Sequence, residues 1–231
     1  MANKLKAKKR DEELLDQEID GEGGSFSMEE FLLGNRNLLL VGVGVIVLLI
    51  GGLAFYNSMN NQKNTEANSE MFQAVKYFEA DSFNMAMNGD GQYLGFLDIA
   101  EDYSGTGAAN QANYYLGIIY YKQGDLESSR EYLEKVSTGD DLLSMSTYMA
   151  LGFVYEDLGE RGKAASNFEK AANTPAENES TSPLMLLNAG RNYEADGNLS
   201  KALGLYQKIK DKYPQSAEAR DIDKYIGRVS K

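Results

Sequence analysis

LGIIYYKQGDLESSREYL, residues 116–133, is echoed by LGFVYEDLGERGKAASNF at 151–168 and by AGRNYEADGNLSKALGLY at 189–206. Each copy has an apolar residue followed by glycine (Gly117, Gly152, Gly190) and a tyrosine three residues on (Tyr120, Tyr155, Tyr193). A turn glycine (Gly124, Gly159, Gly197), a small residue (Ser129, Ala164, Ala202) and a bulky apolar one (Leu133, Phe168, Tyr206) follow at constant spacing. The copies recur after 35 and 38 residues. A period of that length is the signature of stacked helical hairpins.

The residue types match the packing such a stack requires. Glycine on the first helix lets the second approach closely, with Ser129, Ala164 and Ala202 as small partners there. The tyrosines and Phe168 fall at helical spacing and fill the space between successive hairpins. Lys212-Tyr213-Pro214 then stops a helix. The pattern resembles the tetratricopeptide repeat, whose Leu-Gly, Tyr, small Ala, aromatic and closing Pro extend over about 34 residues. The expected fold is therefore an all-α solenoid with repeats at 110–143, 145–178 and 183–216. Ser216 can cap a last helix over 216–230, with Ile222, Tyr225, Ile226 and Val229 on one face. That helix either caps the stack or docks into its groove.

Before the clear repeats, Met71, Ala74, Val75, Phe78, Met85 and Ala86 trace an apolar stripe on a helix expected from about Ala67 to Met87. Asn88-Gly89-Asp90-Gly91 reads as the turn that ends it, without the spaced carboxylates of a calcium loop. A second helix over Gln92–Tyr103 would complete a degenerate first hairpin, giving a repeat domain of 67–231 that starts with 67–109.

Leu38 to Tyr56, LLLVGVGVIVLLIGGLAFY, is 19 residues without a charge. At 1.5 Å per residue it covers roughly 28 Å, the thickness of a bilayer core. With 37 residues ahead of it and no small-residue cleavage pattern behind it, the segment reads as an uncleaved single-pass transmembrane helix, joined to the repeats by a linker at 57–66. Residues 1–37 form a charged tail with six basic residues (Lys4, Lys6, Lys8, Lys9, Arg10, Arg36), which favours a cytoplasmic N-terminus and repeats outside, in the periplasm at a bacterial inner membrane. Ser27-Met28-Glu29-Glu30 before Phe31-Leu32-Leu33 has the capping-box pattern of a short interfacial helix. Gly44 and Gly51 are weak signs of a helix contact within the span.

Composition narrows the chemistry. The chain has 231 residues, no Cys and no His, so thiol catalysis, haem attachment, Cys/His zinc sites and histidine acid–base steps are excluded. A net charge of -12 opposes nucleic-acid binding. No spacing stands out as an active site, so the expectation is a non-enzyme without cofactor, metal or small-molecule substrate. Asn178 and Asn198 match the glycosylation sequon, which chance also produces.

The repeat phase places Tyr114, Ile118 and Tyr121, then Met149, Phe153 and Glu156, then Leu184, Leu187 and Arg191 on the inner face of the first helices. Aromatic and Met side chains there suit an amphipathic helix or an extended unfolded segment, unless the chain's own C-terminal helix or loops fill the groove. The chaperone-binding subclass of the repeat grips a carboxylate with Lys, Asn and Arg. Tyr114, Ile118, Ala150, Leu184 and Asn188 stand at those positions, so that clamp is missing.

The layout of charged tail, single anchor, GDGxYLGFLDI hairpin (Gly89 to Ile99) and KYPQSAEA ending (Lys212 to Ala219) resembles the YfgM-like ancillary subunit of the bacterial Sec translocon, in the form typical of Bacteroidetes. The resemblance implies a periplasmic domain contacting translocon subunits, a periplasmic chaperone or emerging secretory chains, with no catalytic residue. A scaffold for envelope assembly or cell division would share these features.

Overall fold

The computed structural model describes residues 36–137, 139–175 and 180–230. Among them every regular element is helical. Helix α1 spans Arg36–Glu79, α2 Phe83–Asn88, α3 Phe96–Asp102, α4 Gly107–Gln123 and α5 Leu126–Glu134. They are followed by α6 Asp141–Asp157, α7 Arg161–Ala172, α8 Ser182–Ala195 and α9 Leu199–Lys212. A 3-10 turn at Glu218–Asp221 leads into α10, Ile222–Val229. The chain divides into two compact units at Tyr56 and Asn57.

In the first unit, the apolar part of α1 has a mean hydropathy of 2.2 with none of that stretch buried. The helix is long and apolar enough to cross a membrane. The expected tail helix around Ser27 lies outside the described residues.

In the second unit the repeats are helix pairs: α4 packs on α5, α6 on α7 and α8 on α9. The glycines work more specifically than the sequence reading expected. A Cβ on Gly117 would sit 2.5 Å from Leu133, and one on Gly152 2.5 Å from the ring of Phe168. At Gly190 it would strike Tyr206. Each glycine thus houses the bulky residue of its own second helix, and Leu133, Phe168 and Tyr206 are buried there. Ser129, the small partner, donates its hydroxyl to the Gly117 carbonyl at 2.7 Å.

The turn glycines share one closure. Gly124, Gly159 and Gly197 have φ of 81°, 77° and 82°. The amide after each glycine donates to the carbonyl of the repeat tyrosine: Asp125 to Tyr120 at 3.0 Å, Glu160 to Tyr155 at 2.8 Å and Asn198 to Tyr193 at 2.7 Å. This is the Schellman closure of a helix C-terminus.

The same closure corrects the first hairpin. The expected helix from Ala67 to Met87 is broken between α1 and α2, because Asp81 adopts φ 53° and Ser82 donates to the Tyr77 carbonyl at 2.8 Å. Asp81 therefore stands where the repeats have glycine, and Tyr77 where they have tyrosine. Counting back at repeat spacing puts Ala74 at the glycine position and Ala86 at the small position, both fully buried. The bulky position falls on Asp90, inside a loop that separates α2 from α3. There Asp90 Oδ1 accepts the amides of Gln92 and Tyr93, and Oδ2 accepts the Tyr77 hydroxyl at 2.6 Å. The buried ring of Phe96, six residues later, fills the core in its place. Helix α3 accordingly starts at Phe96 rather than Gln92. Gly95 must lack a side chain, since a Cβ would strike the Met87 carbonyl and the Gly89 amide.

Residues 57–66, expected as a linker, are helical within α1. Their asparagines account for it. Asn60 donates to the Gly105 carbonyl at 3.2 Å, and Asn64, one turn on, accepts the Ala108 amide at 2.8 Å, so this part of α1 is tied to the start of α4. At the other end the expected helix over 216–230 is divided. Ser216 Oγ does accept an amide, that of Ala219 at 3.2 Å, but the turn it opens is 3-10 and α10 begins only at Ile222. Helix α10 packs on α9, and Arg228 makes a two-pronged ion pair with Glu194 near the end of α8.

Candidate protein-interaction site

The first helices of neighbouring hairpins lie side by side, and polar contacts fix their register. The Tyr121 hydroxyl on α4 donates to Asp157 of α6 at 2.7 Å, while Tyr114, two turns earlier, has its hydroxyl beside Ser146. Between α6 and α8, Arg161 donates to Glu156 at 2.9 Å and to Asn192 at 3.2 Å.

Along this face Tyr114, Ile118, Tyr121, Met149, Phe153 and Leu187 are all half-buried and packed against one hydrophobic core. Each keeps part of its side chain open. Phe153 meets the buried Phe168 edge to face, with ring centroids 4.9 Å apart. Leu184 is 42% exposed and Arg191 is exposed. Glu156 is held by Arg161. The nine residues read from the sequence thus lie on the first helices of three consecutive hairpins. In strict register Leu184 corresponds to Gln111 and Ser146, and the counterpart of Tyr121 and Glu156 is Glu194. That carboxylate accepts the Tyr206 hydroxyl at 3.0 Å and is paired with Arg228.

Sequence reading missed the continuation of this face into the first hairpin. Val75 and Phe78 occupy the positions of Ile118 and Tyr121 and are half-buried against a second core. Phe78 packs edge to face on Tyr115 at 5.0 Å, and Lys122 lies over both Phe78 and Phe83. The signal was present as Ala74, Tyr77 and Ala86 at repeat spacing, hidden by the non-glycine turn at Asp81.

Two of the repeat tyrosines stitch neighbouring hairpins together. Tyr155 donates to Glu134 at the end of α5, and Tyr193 to Glu169 of α7 at 3.2 Å. Lys163 and Lys201 lie over the rings of Tyr155 and Tyr193 at 5.1 and 4.7 Å. Tyr120 has no such carboxylate, because the equivalent position is Gly91, and it stacks on Tyr132 instead. Burial and the Glu134 bond push the Tyr155 phenol up to about 12. Burial and Asp157 do the same to Tyr121, again to about 12.

Comparison with known families matches residues 29–222 to the tetratricopeptide repeat-like domain. The chain belongs to this family. The match includes the apolar stretch of α1 as well as the hairpins. No curated protein matches the chain. Tetratricopeptide repeat-like domains are protein-interaction folds, and protein partners are the class of ligand this chain serves.

Proposed function

We propose that this tetratricopeptide repeat protein is a YfgM-like ancillary subunit of the Sec translocon, anchored by α1 in a bacterial inner membrane. The charged N-terminus lies in the cytoplasm and the repeats in the periplasm. Its work is to contact translocon subunits, a periplasmic chaperone or emerging secretory chains, without catalysis. The observation that supports this reading most is the row of half-exposed apolar side chains, Tyr114, Ile118, Tyr121, Met149, Phe153 and Leu187, on first helices whose folding contacts are already made on their other sides. Helix α10 packs on α9, so capping the stack is the role that fits it. Half-buried aromatic and Met side chains with a free face are the anchors from which helix or extended-segment binding is built.

Two measurements test this. Protease added to spheroplasts should remove the repeats; a protected repeat domain, or a mature N-terminus beyond Tyr56, would overturn the topology. Photo-crosslinkers at Tyr114, Phe153 and Leu187 in living cells should capture Sec components, their chaperones or secretory clients. Adducts confined to division or cell-wall proteins would assign the chain to envelope assembly instead.

A further inference from the structure

The part of the chain that carries α4 and α6 is acidic. Residues 57–157 carry 16 acidic and 5 basic residues, whereas residues 158–231 carry 10 acidic and 12 basic. Three of those carboxylates bracket the apolar strip. At one end, Asp140 lines an open cleft of about 630 Å³ together with Gln111, Tyr114, Leu142 and Ser146. Among the described residues, no Lys or Arg lines that cleft. Asp141 is exposed beside it, and Leu142 is 65% exposed. At the other end the exposed Asp157 accepts the Tyr121 hydroxyl.

From Asp140 to Asp157 is 17 residues of helix, about 25 Å at 1.5 Å per residue. An extended chain covers the same distance in about eight residues. Between the ends lie Tyr114, Ile118, Tyr121, Met149 and Phe153, half-buried and apolar.

Resting on the interaction role proposed above, we infer that the face between α4 and α6 takes an extended polypeptide segment with an apolar run of about six residues flanked by a basic residue at each end. The apolar side chains lie on Tyr114, Ile118, Met149 and Phe153. The flanking cations meet Asp140 and Asp141 at one end and Asp157 at the other. Charge at the ends fixes which segments are accepted, since an acidic flank placed against these carboxylates is repelled and left without a counter-charge.

The probe is a synthetic peptide with six apolar residues between paired lysines, compared with the same core between paired glutamates. Binding is measured to the full-length protein in nanodiscs of zwitterionic lipid at low and at physiological salt. The lysine-flanked peptide should bind at least about tenfold more tightly, with the difference shrinking as salt rises. Asp140→Asn, Asp141→Asn and Asp157→Asn combined should abolish that preference. Asp140 caps α6 by accepting the Leu143 amide at 2.7 Å, a bond that asparagine also accepts, and asparagine at 157 still accepts the Tyr121 hydroxyl, so the fold is preserved. Tyr114→Ser with Phe153→Ser should weaken both peptides equally. Equal affinity for the two peptides, with the aromatic substitutions still weakening both, would overturn the charge inference and leave the interaction face standing. Binding indifferent to Tyr114 and Phe153 would remove the face itself. Self-association of the full-length protein through these residues would give the face to a second copy and overturn the inference.

Discussion

The hairpin of α6 and α7 and the hairpin made from the end of α1 with α2 and α3 keep the same register but are locked by different means. In the former, Gly152 receives the ring of Phe168 and Gly159 closes the turn with φ 77°. In the latter, Ala74 replaces the first glycine, Asp81 the second, and a loop held by Asp90 interrupts the second helix. What survives in both is Tyr77 or Tyr155 with its carbonyl bonded by the residue after the turn. Backbone closure and the small residue at Ala86 or Ala164 therefore define the hairpin, while the glycine–aromatic pair is one of several ways to fill it.

The largest effect should come from filling the glycine pocket. Gly152→Leu puts a side chain where the fully buried Phe168 ring already sits, and overpacking of this kind costs about 1–3 kcal/mol. At about 2–4 °C per kcal/mol for a chain of this size, the melting temperature of the full-length protein in detergent should fall by several degrees. Ala74→Gly, the reverse exchange in the first hairpin, should lower it by less, since it removes one methyl group from a buried site. An unchanged melting temperature for Gly152→Leu would break the comparison at its root.

A smaller effect, of opposite sign in the two hairpins, is expected at the turns. A non-glycine residue in the left-handed region costs about 1 kcal/mol, less for Asp than for most. Asp81→Gly should therefore raise stability by a few tenths to about 1 kcal/mol. Its ion pair with Lys122, at 3.6 Å and largely exposed, contributes little against this. Gly159→Asp should lower stability by a similar amount. Denaturant midpoints moving in the same direction for both would show that the two turns are not equivalent.

The smallest effect near neutral pH concerns the stitches. Tyr121 and Tyr155 have folded-state values raised from 10.0 to about 12, so folding favours their protonated forms. Their contribution is fully present below pH 10 and is lost as pH rises through about 12. Stability should be flat from these groups between pH 7 and 9 and fall from pH 10 upward. In ultraviolet difference absorbance, Tyr155→Phe should remove one late-ionising phenol and leave the early ones. Loss of an early phenol would place Tyr155 outside the stitch.

Much of the fold was legible because the repeat is a conspiracy of local rules: helical spacing, a left-handed turn residue and a small residue at a close contact all recur in the same order. Those marks identify the three clear copies. The apolar stripe reveals the first hairpin but not its phase, since Asp81 can take a left-handed conformation without announcing it as glycine does. The extent of α1 through 57–66 was not legible either. Asparagine reads as a linker residue until Asn60 and Asn64 have the backbone of Gly105 and Ala108 to bond. Of the candidate face, the positions on α4 and α6 followed from repeat phase, whereas the assignment on α8 did not anticipate that Glu194 is engaged by Arg228. That contact joins residues 34 apart, and no local pattern encodes it.

Tyr155 and Tyr193 each hold three things at once. Their carbonyls end their own helix, their hydroxyls reach the carboxylate of the hairpin before, and their rings lie under a lysine of the hairpin they belong to. Such a residue makes the array modular in heredity as well as in space. A duplication or deletion that begins and ends at the same point of the period gives every new tyrosine a complete set of neighbours. One cut out of phase orphans the carboxylate on one side and the lysine on the other. Gain or loss of a whole hairpin is the step that keeps each of these contacts intact.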